Sequence, residues 1–204
     1  MIDQVIVFVA GCWVAGLVLD ACKLDKPVIA FACGGISFHE LSHLVACLAL
    51  GVRVTSITLL HVDEGGANGN VKPRDEVRNP FTALVVSLAP AIGAVFWTLL
   101  FAWGAAAVYE SGNDQAWAWL LLYLAVATGT CAAPSGGDLK YAGHVIAQRP
   151  GQFVIGLGGS ILAGWICLAA GFPLAEWWHL ALLVVAVLGP GVALSKLYGW
   201  RRGV

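Results

Sequence analysis

Residues 27–50 read PVIAFACGGISFHELSHLVACLAL, an apolar run in which His39, Glu40 and His43 stand out as the groups able to carry charge. Without them the stretch is a plain candidate for crossing a bilayer, which takes about 20 apolar residues for a hydrocarbon core of roughly 30 Å. With them it is a span that carries chemistry, because ionisable side chains at membrane depth are costly and persist where they serve a function.

The rest of the chain agrees. Of its 204 residues 59% are hydrophobic and only 11% charged, with a mean hydropathy of +0.82, far from the roughly 25% charged residues of soluble domains. Six apolar segments separated by polar or Gly/Pro breaks are expected as spans: approximately 2–19, 27–50, 80–109, 116–133, 153–172 and 175–197. The fold class expected is therefore an all-α polytopic membrane protein of about six transmembrane helices, forming a single domain over 1–204. Its core lies at 27–140, with additional helices at 1–20 and 152–198. The longest polar stretch, 51–79, is too short for an appended soluble module.

Net charge is −1 and uninformative, but the distribution of basic residues is not. With alternating loops, Arg53, Lys72, Arg74, Arg78, Lys140, Arg149, Lys196, Arg201 and Arg202 fall on one side and only Lys23 and Lys26 on the other. The positive-inside rule makes the first side cytoplasmic and puts both termini there, in a multi-pass protein of the cell membrane. Trp103, Trp117, Trp119, Trp177 and Trp178 fall near the expected outer ends of spans, where indole rings favour the interface. The first segment lacks a basic n-region and an A-x-A-like site, so it is expected as a retained helix. The six cysteines form no C-x-x-C pair and read as small packing residues.

One stretch departs from helical pattern. Residues 52–58, VRVTSIT, alternate imperfectly and are rich in β-branched residues, and 63–70, DEGGANGN, follow as a turn, so a short β-like hairpin is expected after the second span. A bare strand edge cannot be left in lipid; it must pair, face water or line a protein cavity. Asn79-Pro80 then reads as an N-cap and first helical residue.

His39-Glu40-Leu41-Ser42-His43 is an HExxH sequence. On a helix, positions i and i+4 share a face, so His39 and His43 can offer two nitrogens to one metal ion while Glu40 lies beside them as a proton acceptor. A catalytic zinc takes three protein ligands and leaves a fourth place for water. The third is sought at membrane depth on the cytoplasmic side. There Pro134 breaks the fourth segment, and Gly136 and Gly137 give Asp138 freedom to fold back, so Asp138 is the expected third ligand. His61, His144 and His179 are chemically competent but read as interface residues. Glu110 and Glu176 read as solvated loop charges. Gly34, Gly35, Gly156, Gly158, Gly159 and Gly164 read as helix-packing positions, with no phosphate-binding fingerprint around them.

An HExxH span preceded by one helix, followed by a β-like segment and an intervening span, then a helix ending in a Pro-containing segment that closes on Asp138, resembles the site-2 protease family of intramembrane zinc metalloproteases. The resemblance covers roughly 27–140. It departs in having Thr128 and Thr130 where the family often has Asn, in Ala89-Pro90-Ala91-Ile92-Gly93 lacking a following Asn, and in Leu139 after the Asp. It implies one zinc per chain on His39, His43 and Asp138, and Glu40 as general base. The implied reaction is hydrolysis of a peptide bond within or near a transmembrane segment of a membrane-protein substrate. The partners are that substrate and the bilayer, with no nucleic acid. The alternative is a catalytically silent, zinc-binding relative that holds a membrane partner. Di-iron hydroxylases use more histidines than the five here. A zinc transporter would carry paired ligands on further helices.

Overall fold

The computed structural model describes residues 11, 12, 14, 15, 18, 25–63, 66–112, 115–172 and 177–201. Among them are helices α1 (Asp25–Ala49), α2 (Pro80–Glu110), α3 (Gln115–Thr130), α4 (Gly136–Gln148), α5 (Pro150–Ala169) and α6 (Trp177–Arg201), and strands β1 (Val54–Asp63) and β2 (Gly66–Pro73). The protein is mostly helical with one small antiparallel sheet, β1 pairing with β2.

Three of the described helices are long and apolar enough to cross a membrane: α2, α5 and Leu182–Trp200 within α6. This is fewer than the six spans expected from sequence. The expected first span lies largely outside the described residues. The fourth, α3, has 16 residues, about 24 Å at 1.5 Å per residue, short of a roughly 30 Å hydrocarbon core. The second, α1, has 25 residues but carries His39, Glu40 and His43 in its middle.

The described chain falls into two compact units. In the first, residues 1–74 and 89–134, α1 packs against α3 and both strands pack against α1. α1 stops because Gly51 takes a positive φ of 71°, which closes a turn with Val52 N–H donating to Cys47 O (2.8 Å) and Gly51 N–H to Leu48 O (3.2 Å). The chain then turns into β1. Gly66, Asn68, Gly69 and Asn70, expected as turn residues, are instead strand residues of β2 held by pairing, Thr58 opposite Asn70 and His61 opposite Asn68. Their low β-propensity is overridden by that pairing and by a close approach at Gly69. α2 and α3 are tied by the fully buried Thr98, whose Oγ1 donates to Ala125 O (3.2 Å) and lies 3.1 Å from Thr128 Oγ1. Phe38 on α1 packs on Trp97 and Phe101 of α2, centroids 5.1 and 4.9 Å apart.

In the second unit, residues 75–88 and 135–204, α5 and α6 meet through small residues. A Cβ on Gly191 of α6 would overlap Ser160 Oγ and Gly156 O, and one on Gly159 would stand 2.6 Å from Leu194 Cδ1, so Gly156 and Ser160, one turn apart, form a small-xxx-small face. The expected cap at Asn79 is present: its Oδ1 accepts from Thr82 N–H (2.9 Å) and from Ser195 Oγ (3.1 Å). Gln152 Nε2 donates to Ser195 O (3.1 Å), so the start of α2, α5 and α6 share one buried polar knot.

Candidate metal centre

The HExxH sequence lies on α1, as its spacing requires, and the His39 and His43 rings stand 5.1 Å apart between centroids at 73°. Glu40 and His43 are buried, 8% and 7% exposed, and His39 is half-buried. Burial of titratable groups this close in sequence is expensive unless they are paired or hold an ion.

His39 has a partner that orients it. Its Nδ1 lies 2.9 Å from the backbone carbonyl of Cys131. A carbonyl can only accept, so Nδ1 carries the proton and the lone pair is on Nε2, the nitrogen needed by a metal. Metal-binding histidines have such an outer partner almost without exception. The carbonyl is available because α3 ends at Thr130, and the last carbonyls of a helix lack intrahelical donors. It is within reach because Gly35, one turn before His39, lets the helices touch. A Cβ there would overlap Ala127 O and stand 2.7 Å from Ala127 C and Cys131 Sγ.

Asp138 is not on a flexible loop. Gly136 and Gly137 are the first residues of α4, with Ser135 as N-cap and Asp138 at the third position in a capping box. Asp138 Oδ2 accepts from Ser135 N–H (2.9 Å) and Ser135 Oγ–H (2.6 Å), and Asp138 N–H donates back to Ser135 Oγ (3.1 Å). The carboxylate is held by helix geometry, which favours negative charge at an N-terminus, and not by glycine freedom.

One ligand atom from each of His39, His43 and Asp138 lies within 4.8 Å of the others, a group that can hold a metal ion. Two imidazole nitrogens and one carboxylate oxygen fit the three-ligand set of an open catalytic site. Among the described residues no other His, Cys, Asp or Glu joins it. His61 is exposed on β1, His144 is exposed and 2.9 Å from Gln148 Nε2, and His179 is buried on α6. Glu110 is exposed, and Glu176 lies outside the described residues.

Thr128 and Thr130 are engaged within their own helix. Thr128 Oγ1 donates to Leu124 O (2.8 Å) and Thr130 Oγ1 to Ala127 O (2.9 Å), so both hydroxyls back-bond their own helix. Ser42, inside the motif, donates to Phe38 O (2.7 Å) and accepts from Trp97 Nε1 (3.2 Å). Glu40 lies against β2, where a Cβ on Gly69 would overlap its Cγ and stand 2.9 Å from Cδ.

Sequence reasoning missed the Cys131 carbonyl, the Gly69 contact and the Ser135 cap. Only the last had a readable signal, the Ser-x-x-Asp spacing of a capping box. Comparison with protein-family models, with curated proteins and with solved structures finds no match.

Proposed function

We propose that this chain is an intramembrane zinc metalloprotease, cleaving a peptide bond within or near a transmembrane segment of another membrane protein. The observation that carries the reading is the His39 Nδ1 to Cys131 O bond. It leaves the lone pair of one motif histidine on Nε2, in a group of three donors that could hold an ion. Zinc, when bound there by His39, His43 and Asp138, would supply Lewis acidity, polarising the scissile carbonyl and making water a better nucleophile at neutral pH.

The chain's own residues do the rest. Glu40, adjacent in sequence and buried, takes the proton of the attacking water and passes it to the leaving amine. Helical substrate must unwind first, since its carbonyls are locked in intrahelical bonds. A two-stranded sheet has open outer edges, and β1 presents exposed Ile57, Leu59, Leu60 and Val62; such a strand can pair an unwound segment.

A second reading, a silent relative that binds zinc and a membrane partner, is favoured by one observation. Thr128 and Thr130 spend their hydroxyls within α3 and so do not replace an amide donor to substrate.

Metal analysis of wild type, Glu40→Gln and Asp138→Asn, paired with cleavage of single-span substrates, separates the readings. Glu40→Gln is expected to keep zinc and lose cleavage, and Asp138→Asn to lose both. A zinc-loaded wild type inert towards every helix offered would favour the silent relative. Unchanged zinc in Asp138→Asn would remove Asp138 from the ligand set.

A further inference from the structure

The buried side chain of Glu40 meets the backbone of β2 at a residue without a side chain. A Cβ on Gly69 would overlap Glu40 Cγ, stand 2.9 Å from Cδ and 3.0 Å from Oε1. Contacts below 3.0 Å are not tolerated by real Cβ atoms, and here both the methylene and the carboxyl group are in the way. The φ of Gly69 is not in the left-handed region, so glycine is not required there by backbone conformation. Space is the reason.

The sheet is irregular at the same place. Thr58 pairs with Asn70 and His61 with Asn68, so Leu59 and Leu60 of β1 stand opposite Gly69 alone. One extra residue on one strand is a β-bulge, which bends the strand and re-aims what it carries, and bulges are enriched beside active sites. Flanking residues cannot substitute for Gly69, because neighbouring strand positions face the other side of the sheet. The hairpin therefore presents bare backbone to Glu40 at the second of its two register shifts, the other lying between Val54 and Ser56.

We infer that Gly69, set by the Leu59-Leu60 bulge, is a positioning residue for Glu40: its backbone is the seat that fixes where the proton acceptor sits relative to His39 and His43. This inference rests on the protease reading. A methyl group at Gly69 displaces the carboxyl by about 1 Å, and a misplacement of that size is worth about 10²-fold in rate, while the metal ligands are untouched.

Two measurements test it. In steady-state cleavage of a single-span substrate, Gly69→Ala is expected to lower kcat about 10²-fold, with KM and zinc content as in wild type and with Asn68→Ala unchanged. In thermal unfolding, Gly69→Ala is expected to destabilise wild type but not Glu40→Ala, whose missing atoms leave room for the new methyl. A kcat within about threefold of wild type, a loss confined to KM or zinc, or equal destabilisation in both backgrounds would each overturn the assignment. A wild type that cleaves nothing would remove the protease reading and this assignment together. An active wild type with undiminished Gly69→Ala would remove the assignment alone.

Discussion

Gly35→Ala perturbs the site without touching any candidate ligand. The new Cβ would overlap Ala127 O and stand 2.7 Å from Ala127 C and from Cys131 Sγ. Ordinary carbon contacts are about 3.5–4.0 Å, and the obstacles are backbone and a short side chain, so α1 and α3 must separate by about 1 Å. His39 is one turn further along, and its 2.9 Å bond to Cys131 O would lengthen to about 3.9 Å, which is no hydrogen bond. Overpacking of this kind costs about 1–3 kcal/mol, and loss of an outer-shell partner costs about 10- to 100-fold in metal affinity. Gly34→Ala is the control, since its Cβ would meet Leu124 Cδ2 at 3.2 Å and Tyr123 Oη at 3.5 Å, the far ends of side chains that can rotate away. Competition of purified protein against a chromophoric zinc chelator reads the outcome. Gly35→Ala should bind zinc at least about tenfold more weakly than wild type, with Gly34→Ala near wild type. A folded Gly35→Ala with wild-type zinc affinity would refute the claim that the α1–α3 contact orients His39.

Ser135→Ala removes the side-chain half of the capping box that holds Asp138, so α4 should lose about 1 kcal/mol and zinc affinity should fall several-fold, read by the same competition; an unchanged affinity would mean that the cap does not aim the carboxylate. Thr128→Val deletes a hydroxyl spent inside the helix bundle, and should lower the melting temperature by the equivalent of about 1 kcal/mol while cleavage stays within about twofold. A collapse of cleavage in that variant would make Thr128 a donor to substrate. Ile57→Pro removes a strand N–H from the hairpin, and should reduce cleavage with zinc content intact; loss of zinc as well would show that the hairpin holds the site together and not the substrate.

The parts of this protein legible in sequence were those written in local patterns. HExxH carries its geometry in its spacing, because i and i+4 must share a helical face whatever surrounds them. Asn79-Pro80 carried a helix start, and the β-branched run at 52–58 carried a strand. The local reading around Asp138 was wrong: Gly136-Gly137 suggested a hinge, whereas Ser135 and Asp138 close a cap that recruits both glycines into α4. The polar, glycine-rich 66–70 read as turn because nothing in its own composition reveals that β1 pairs with it or that Gly69 must pass over Glu40. The reach of Cys131 O to His39 spans 92 positions and uses backbone, so no residue type signals it. Span counting failed where length and burial compete: α3 is apolar but only 16 residues long.

The central claim, one metal held by two imidazoles of α1 and a carboxylate, is tested most directly by zinc X-ray absorption on the purified wild-type chain in detergent. It predicts one zinc per chain with a nitrogen/oxygen shell at about 2.0–2.1 Å, outer scattering from two imidazole rings, and loss of the ion in His43→Ala. Absence of bound zinc, or a sulfur shell at about 2.3 Å, would contradict it.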